Sequence, residues 1–483
     1  MKTLGTTLTM IYLLFSISPV MAQTVHPENW APTWINPSWE RPANMIPDTS
    51  ISIPGDLNVT QLDQPATCGG CHAEIFNQWN GSVHANALKD PIFQKATKLF
   101  LSEAKTEGEL EEARSCVRCH TPLGHLSKEI ETTEADYDNP NLDTRADIFC
   151  DFCHSVKSCA GVGNAPYIVD PGEEAEAQKI KWGPRDDAAA SSYHETAFSD
   201  LHTKSEMCGM CHDVTHTMNG VPLERTYTEW REGPYNTGDP KTTVYCQDCH
   251  MRQLPGVPAT GSTERPDNPG ASIIGGTERD HIYTHYFVGG NAVLPTLYEG
   301  GEENVQMATE RLQNCATLEI ITPDIPIIWQ NANIQVKVNN VGAGHYIPTG
   351  LSEVREMWLE VVVKNSFGRT LLQSGQVDDD GNLDPQARIF NIKLADKDGN
   401  HTANVVKADH VLSDHRIPPK GYAIENYILF VPLSGILGYT IEARLLYRSA
   451  SQSLIDELLG EETITLPIIE MAYETTRVAL LED

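Results

Sequence analysis

The spacing of apolar positions changes character part-way along this chain. Before residue 315, helical spacing appears only in short runs, at 73–88, at 92–113 with its Glu-rich outer face, and at 188–205. Stretches dense in Pro and Gly, such as 161–171 and 254–269, separate them. Beyond residue 315 the period falls to two and β-branched residues dominate. Residues 317–322, 334–338, 357–364, 389–394, 427–431 and 441–447 each read as a strand bounded by turn residues, and 451–459 reads as one amphipathic helix. Six or more short strands within about 160 residues predict an antiparallel β-sandwich of immunoglobulin-like type. The expected fold class is therefore α+β, a mainly helical and irregular domain followed by that sandwich.

The ends of the chain refine this division. Residues 1–22 combine the lone charge of Lys2, an apolar run from Met10 to Phe15 and a small-residue exit at Ala22, the pattern of a secretory signal peptide. The run is too short to span a membrane, and no other window approaches about 20 apolar residues, so no transmembrane segment is expected. Residues 23–60, with Trp30, Trp34 and Trp39 among prolines, read as an extended N-terminal arm over the domain that follows. The expected domains are then 61–315 and 316–483. A formal charge of -31 argues against nucleic acid or an anionic membrane surface as a partner.

The chemistry lies in the first domain. Cys-x-x-Cys-His occurs five times, at Cys68/Cys71/His72, Cys116/Cys119/His120, Cys150/Cys153/His154, Cys208/Cys211/His212 and Cys246/Cys249/His250. Thiols three residues apart can add to the two vinyl groups on one porphyrin edge, which leaves the next imidazole beneath the iron. A zinc or iron-sulfur site would combine two CxxC pairs, but His follows every second Cys and five pairs do not divide into twos. The motifs therefore imply five covalently bound haem c groups, with His72, His120, His154, His212 and His250 as proximal ligands to iron. About fifty residues per haem cannot build an ordinary apolar core around each, so the porphyrins must supply much of the buried surface. Covalent haem attachment in bacteria takes place outside the cytoplasmic membrane, which agrees with export to the periplasm or beyond the cell. Cys159 and Cys315 remain, as one disulfide or as two buried thiols.

The second axial position of each iron decides function. Of seventeen histidines, His84 ends a predicted helix after the first motif. His194 and His202, eight residues apart, would face the haems from a second helix, and His281 and His285 would share one face of a third at i and i+4. These five match the number of irons and point to bis-histidine ligation throughout. His125 and His216 are weaker candidates. The run 378–384 has the oxygen density of a calcium loop without its ligand spacing, and reads as an acidic turn.

Several segments carry a resemblance. Cys68-Gly-Gly-Cys-His72 with Trp79 and Ser82-Val-His84, Ser205-Glu-Met-Cys-Gly-Met-Cys-His212, and Leu223-Glu-Arg-Thr-Tyr-Thr-Glu-Trp230 leading to Cys246-Gln-Asp-Cys-His-Met251 resemble the multihaem cytochromes c related to the electron-relay cytochrome of hydroxylamine-oxidising bacteria. The likeness covers roughly residues 60–290 and implies a haem-packed helical domain passing single electrons between neighbouring porphyrins. Asn340-Val-Gly-Ala-Gly-His-Tyr-Ile-Pro-Thr-Gly350 is similar to a segment found after the haems in exported cytochromes of this kind, a tight loop in which His345 would touch or cap a haem or stabilise the turn. The relay cytochrome has four haems and no β domain, so its partner does not carry over. Pentahaem nitrite reductase uses Lys at its catalytic haem, and no CxxCK occurs here.

The expected function is electron transfer between redox proteins or other cytochromes. The alternative is an oxidoreductase acting on a small nitrogen or sulfur compound at one open haem, with His216, Tyr227 or Arg225 supplying protons or binding an oxyanion. The β domain could also join copies into an oligomer.

Overall fold

The computed structural model describes residues 23–25, 59–127, 147–172, 179–189, 191–323, 327–433 and 438–479. The expected signal peptide and most of the arm lie outside them. The described part of the arm, Gln23–Val25, pairs with strand Tyr422–Phe430 in the second half of the chain.

The first half is built from short helices. Pro91–Glu103 begins where the Asp90 carboxylate accepts the Ile92 N–H at 2.8 Å. The single helix expected over 92–113 is instead two, because Thr106 and Glu109 cap each other and restart the chain as Glu107–Ser115. Ala73–Asn80 also stops before residue 88. Gly81 follows it against the backbone of Gly300, where an added Cβ would lie 2.0 Å from the carbonyl oxygen. His84 then sits in a short 3-10 turn, His84–Asn86.

The helix expected over 188–205 does not form. The Ser191 hydroxyl accepts the N–H groups of Tyr193 and His194, so the serine ties up local backbone in a turn. The following Glu195–Phe198 pairs parallel with Ile180–Gly183, and His202 falls in the 3-10 turn Asp200–Thr203. The segment carrying His281 and His285 is not helical either. Its backbone bonds outward, Ile282 N–H to Asn268 and Thr284 N–H to Met251, which leaves it extended.

The second half holds two antiparallel sheets facing each other across one core. The first runs Gln23–Val25, Tyr422–Phe430, Asn331–Asn340, Ala316–Ile321. The second runs Thr370–Ser374, Glu356–Asn365, Tyr439–Arg448, Ile469–Val478, with Arg388–Ile389 also on Glu356–Asn365. Alternation explains the packing: Ile334, Val336 and Val338 of one sheet and Val361, Val363, Ile441 and Ala443 of the other are all buried. The strand expected over 389–394 is split, with Ile392–Ala395 moving into a small third sheet between His401–Thr402 and His410–Asp414. That sheet packs Ile392 and Leu394 on Val221 and Leu223 of the first half. Gln452–Leu459 forms as expected, capped by Ser451. In the 378–384 turn the Asp378 carboxylate accepts the N–H groups of Asp380 and Asn382, so its oxygens serve their own loop. Among the described residues no helix is long and apolar enough to cross a membrane.

Candidate cofactor cavity

Each Cys-x-x-Cys-His motif is wound into a single helical turn. The N–H of the histidine bonds the carbonyl of the first cysteine in four of them, at 2.9 Å for His72, 3.2 Å for His120, and 2.9 Å for His154 and His212. His250 lies within the helix Cys246–His250. The i to i+4 turn stacks imidazole and first thiol on one side, the arrangement that attachment to one porphyrin edge requires.

These turns face a cavity of about 1920 Å³. Its walls include Phe76, Trp79, Phe149, Phe152, Tyr167 and Phe287, and they reach Met357 and Tyr447 of the sandwich. All ten motif cysteines except Cys71 are partly buried. Three contacts between motifs set their neighbourhood: the thiols of Cys68 and Cys150, of Cys119 and Cys211, and of Cys208 and Cys246 lie against one another. The fourth motif thus touches both the second and the fifth, and Cys211 also lies within electrostatic reach of Cys153 in the third.

Ten histidines line the cavity: the five that follow the motifs, together with His84, His194, His202, His285 and His345. His281 is not among them. Its Nδ1 accepts the Asn268 N–H at 3.0 Å and its ring meets Tyr283 edge-on, because the extended backbone turns it away from His285 instead of stacking the two. His345 takes the fifth place, from the loop after strand Asn331–Asn340.

The rings meet in pairs. His84 and His212 have ring centres 6.2 Å apart, His154 and His202 5.6 Å, and His250 and His345 6.4 Å. Two imidazoles bound to one metal through nitrogens at about 2 Å each place their ring centres roughly 6 Å apart. His120 instead carries the Phe93 ring flat against it at 3.9 Å.

The outer nitrogens are anchored. Nδ1 of His72 donates to the Ser272 carbonyl at 2.8 Å, that of His120 to Ala87 at 3.3 Å, and those of His154 and His250 to Trp182 and Val288 at 2.7 Å. His194, His285 and His345 likewise donate to the carbonyls of Glu195, Tyr283 and Tyr346. A donating Nδ1 leaves Nε2 with its lone pair inward, which is the ligating tautomer. His202 is reversed: its Nε2 bonds the Cys153 carbonyl at 3.1 Å, and its buried Nδ1 has no partner. Burial holds His84 down to about 3 and His120, His202 and His285 down to about 4, so these imidazoles stay neutral, as ligation demands. His212 differs. Burial opposes its charge, but the hydrogen bond and charge of Glu224 outweigh burial and lift it to about 9.

Two weaker candidates lie outside the cavity lining. His216 has both nitrogens in use, Nε2 donating to Val406 and Nδ1 accepting from Met218. His125 sits in the helix Pro122–Ser127. Cys159 and Cys315 are both free thiols, and the buried Cys315 thiol donates to Leu312 at 3.1 Å within the sandwich core.

The donor set, paired thiols with paired imidazoles around one apolar cavity, fits haem c. A family model, cytochrome c554 and c-prime, matches residues 67–155. Among solved structures, a penta-heme cytochrome c552 from Thermochromatium tepidum superposes with a TM-score of 0.57 at 20% identity, covering 86% of this chain and 100% of that one. These findings support a multihaem c-type cytochrome. Spo0M, a sporulation control protein from Bacillus subtilis, matches 34% of this chain and 49% of its own at 9% identity, and its TM-score of 0.14 carries no argument. No curated protein matches the sequence.

Proposed function

We propose that this chain is an exported electron-transfer protein, periplasmic or at the cell surface, which moves single electrons between redox partners by way of five haem c groups. The ten motif cysteines would attach them and His72, His120, His154, His212 and His250 would stand proximal. Bound there, haem supplies a reversible one-electron couple. The chain supplies ligands, burial and exclusion of water. The reading rests on the three opposed ring pairs, in which His84, His202 and His345 serve as second ligands to the irons of His212, His154 and His250. His285, within electrostatic reach of His154 and His72, is the candidate for the iron of His72. Irons capped on both sides bind no substrate, so their work is conduction.

One observation favours the second reading. Among the described residues, the ring recorded against His120 is that of Phe93, and no imidazole pairs with it at the spacing of the other three. An iron there would keep a position open to a small nitrogen or sulfur compound, making the protein an oxidoreductase. Haem quantitation with ferric-state electron paramagnetic resonance separates the two. Five low-spin haems support the relay, whereas a strong high-spin signal from one haem in five supports catalysis at the second motif.

A further inference from the structure

The five proximal histidines do not share one kind of outer partner. Four donate Nδ1–H to neutral backbone carbonyls, those of Ser272, Ala87, Trp182 and Val288. His212 alone meets a carboxylate, with Nδ1 3.2 Å from Oε1 of Glu224. Glu224 ends the short strand Pro222–Glu224, whose partner strand Val214–Thr215 follows the motif directly, so the hairpin returns the carboxylate to the histidine twelve residues earlier.

A hydrogen bond to an ionised acceptor is roughly twice as strong as one to a neutral acceptor. Drawn toward the carboxylate, the Nδ1 proton leaves more electron density on the ring, and a ligating Nε2 becomes a stronger donor. A stronger donor stabilises the ferric over the ferrous iron and lowers the reduction potential. The fourth motif is also the crossing point of the array, since Cys211 meets Cys119 and Cys208 meets Cys246.

We propose that Glu224 acts as a positioning and tuning residue that makes the haem of the fourth motif the lowest in potential of the five. That haem would then divide the array, with electrons resting on the haems to either side. The inference rests on the haem-ligation reading above.

The test is Glu224→Gln in the haem-loaded protein, followed by spectroelectrochemical titration and ferric-state electron paramagnetic resonance. Glutamine keeps an acceptor oxygen and removes the charge. The expected result is that the lowest of the five midpoints rises while the other four stay in place, with one low-spin ferric signal shifting and Glu224→Asp moving back toward wild type. Five unchanged midpoints, or five that rise together, would overturn the proposal.

A second variant guards against a folding failure. The Thr226 hydroxyl donates to the same Oε1 at 3.2 Å and so competes for its charge. Thr226→Val should lower that one midpoint, and a rise would refute the idea. Failure of the ligation reading has a different signature: fewer than five haems in the mass of the wild-type protein, before any variant is made.

Discussion

Arg416 and Glu229 form a buried ion pair at 2.5 Å, joining the second half of the chain to the helix Thr226–Arg231 of the first. Arg416 also holds Asp414 at 2.9 Å, while the other oxygen of Glu229 accepts the Tyr346 N–H at 3.1 Å and the Thr349 hydroxyl at 2.9 Å. One carboxylate therefore fixes both the guanidinium and the loop that carries His345. Removing one partner of a buried pair typically costs about 3–5 kcal/mol, because the other is left uncompensated. Glu229→Ala should lower the unfolding free energy by that amount in a denaturant titration. Equal stability would mean that water replaces the carboxylate.

His345→Ala should change the spin state of a single haem. With its second imidazole gone, the iron of His250 would add one high-spin signal to the electron paramagnetic resonance spectrum. His281→Ala should leave that spectrum unchanged, since His281 stands outside the cavity lining. A spectral change with His281 and none with His345 would reverse the assignment.

Glu425 should make folding weaker as pH rises. Burial pushes its carboxyl up to about 7 from 4.5, with Arg388 3.5 Å away opposing the shift. Between those values the folded state holds a proton that the unfolded chain has lost, so its contribution is intact below pH 4.5 and declines up to about pH 7. The decline is at most about 3 kcal/mol. Glu425→Gln should flatten this part of the stability profile, and parallel profiles for the two proteins would refute the assignment.

Removing the haems should affect the two halves unequally. A chain with all ten motif cysteines replaced by alanine keeps the sandwich core of Ile334, Val361 and Ile441 but leaves the cavity unfilled. Limited proteolysis should digest the first half and spare residues 327–479. Equal protection of both halves would show that the porphyrins are dispensable for packing.

What was legible in the sequence follows from the range of the forces involved. The five Cys-x-x-Cys-His turns are local, set within five residues, and the alternating strands beyond Cys315 are nearly so. The placing of second histidines is a tertiary property. His202 was expected on a helix, yet Ser191 and the parallel pairing of Ile180–Gly183 with Glu195–Phe198 outbid helical spacing there. His281 failed for a related reason, its backbone being drawn to residues 251 and 268. His345 lay about a hundred residues beyond the last motif, and its loop is brought to the cavity by tertiary contacts such as those of Glu229 with Tyr346 and Thr349. Glu224 was inside a segment already singled out, but nothing in its spacing told that a hairpin would fold it onto His212.

The parallel strand pair has one more consequence. The Trp182 carbonyl of one strand holds the His154 ring, and the other strand runs through Ser199 directly into the turn that bears His202. Both rings are thus mounted on a single two-strand clip, which works as a caliper. A haem bound between these rings would have both of its imidazoles braced by one pair of strands, so a change in that pair would disturb the two ligands together.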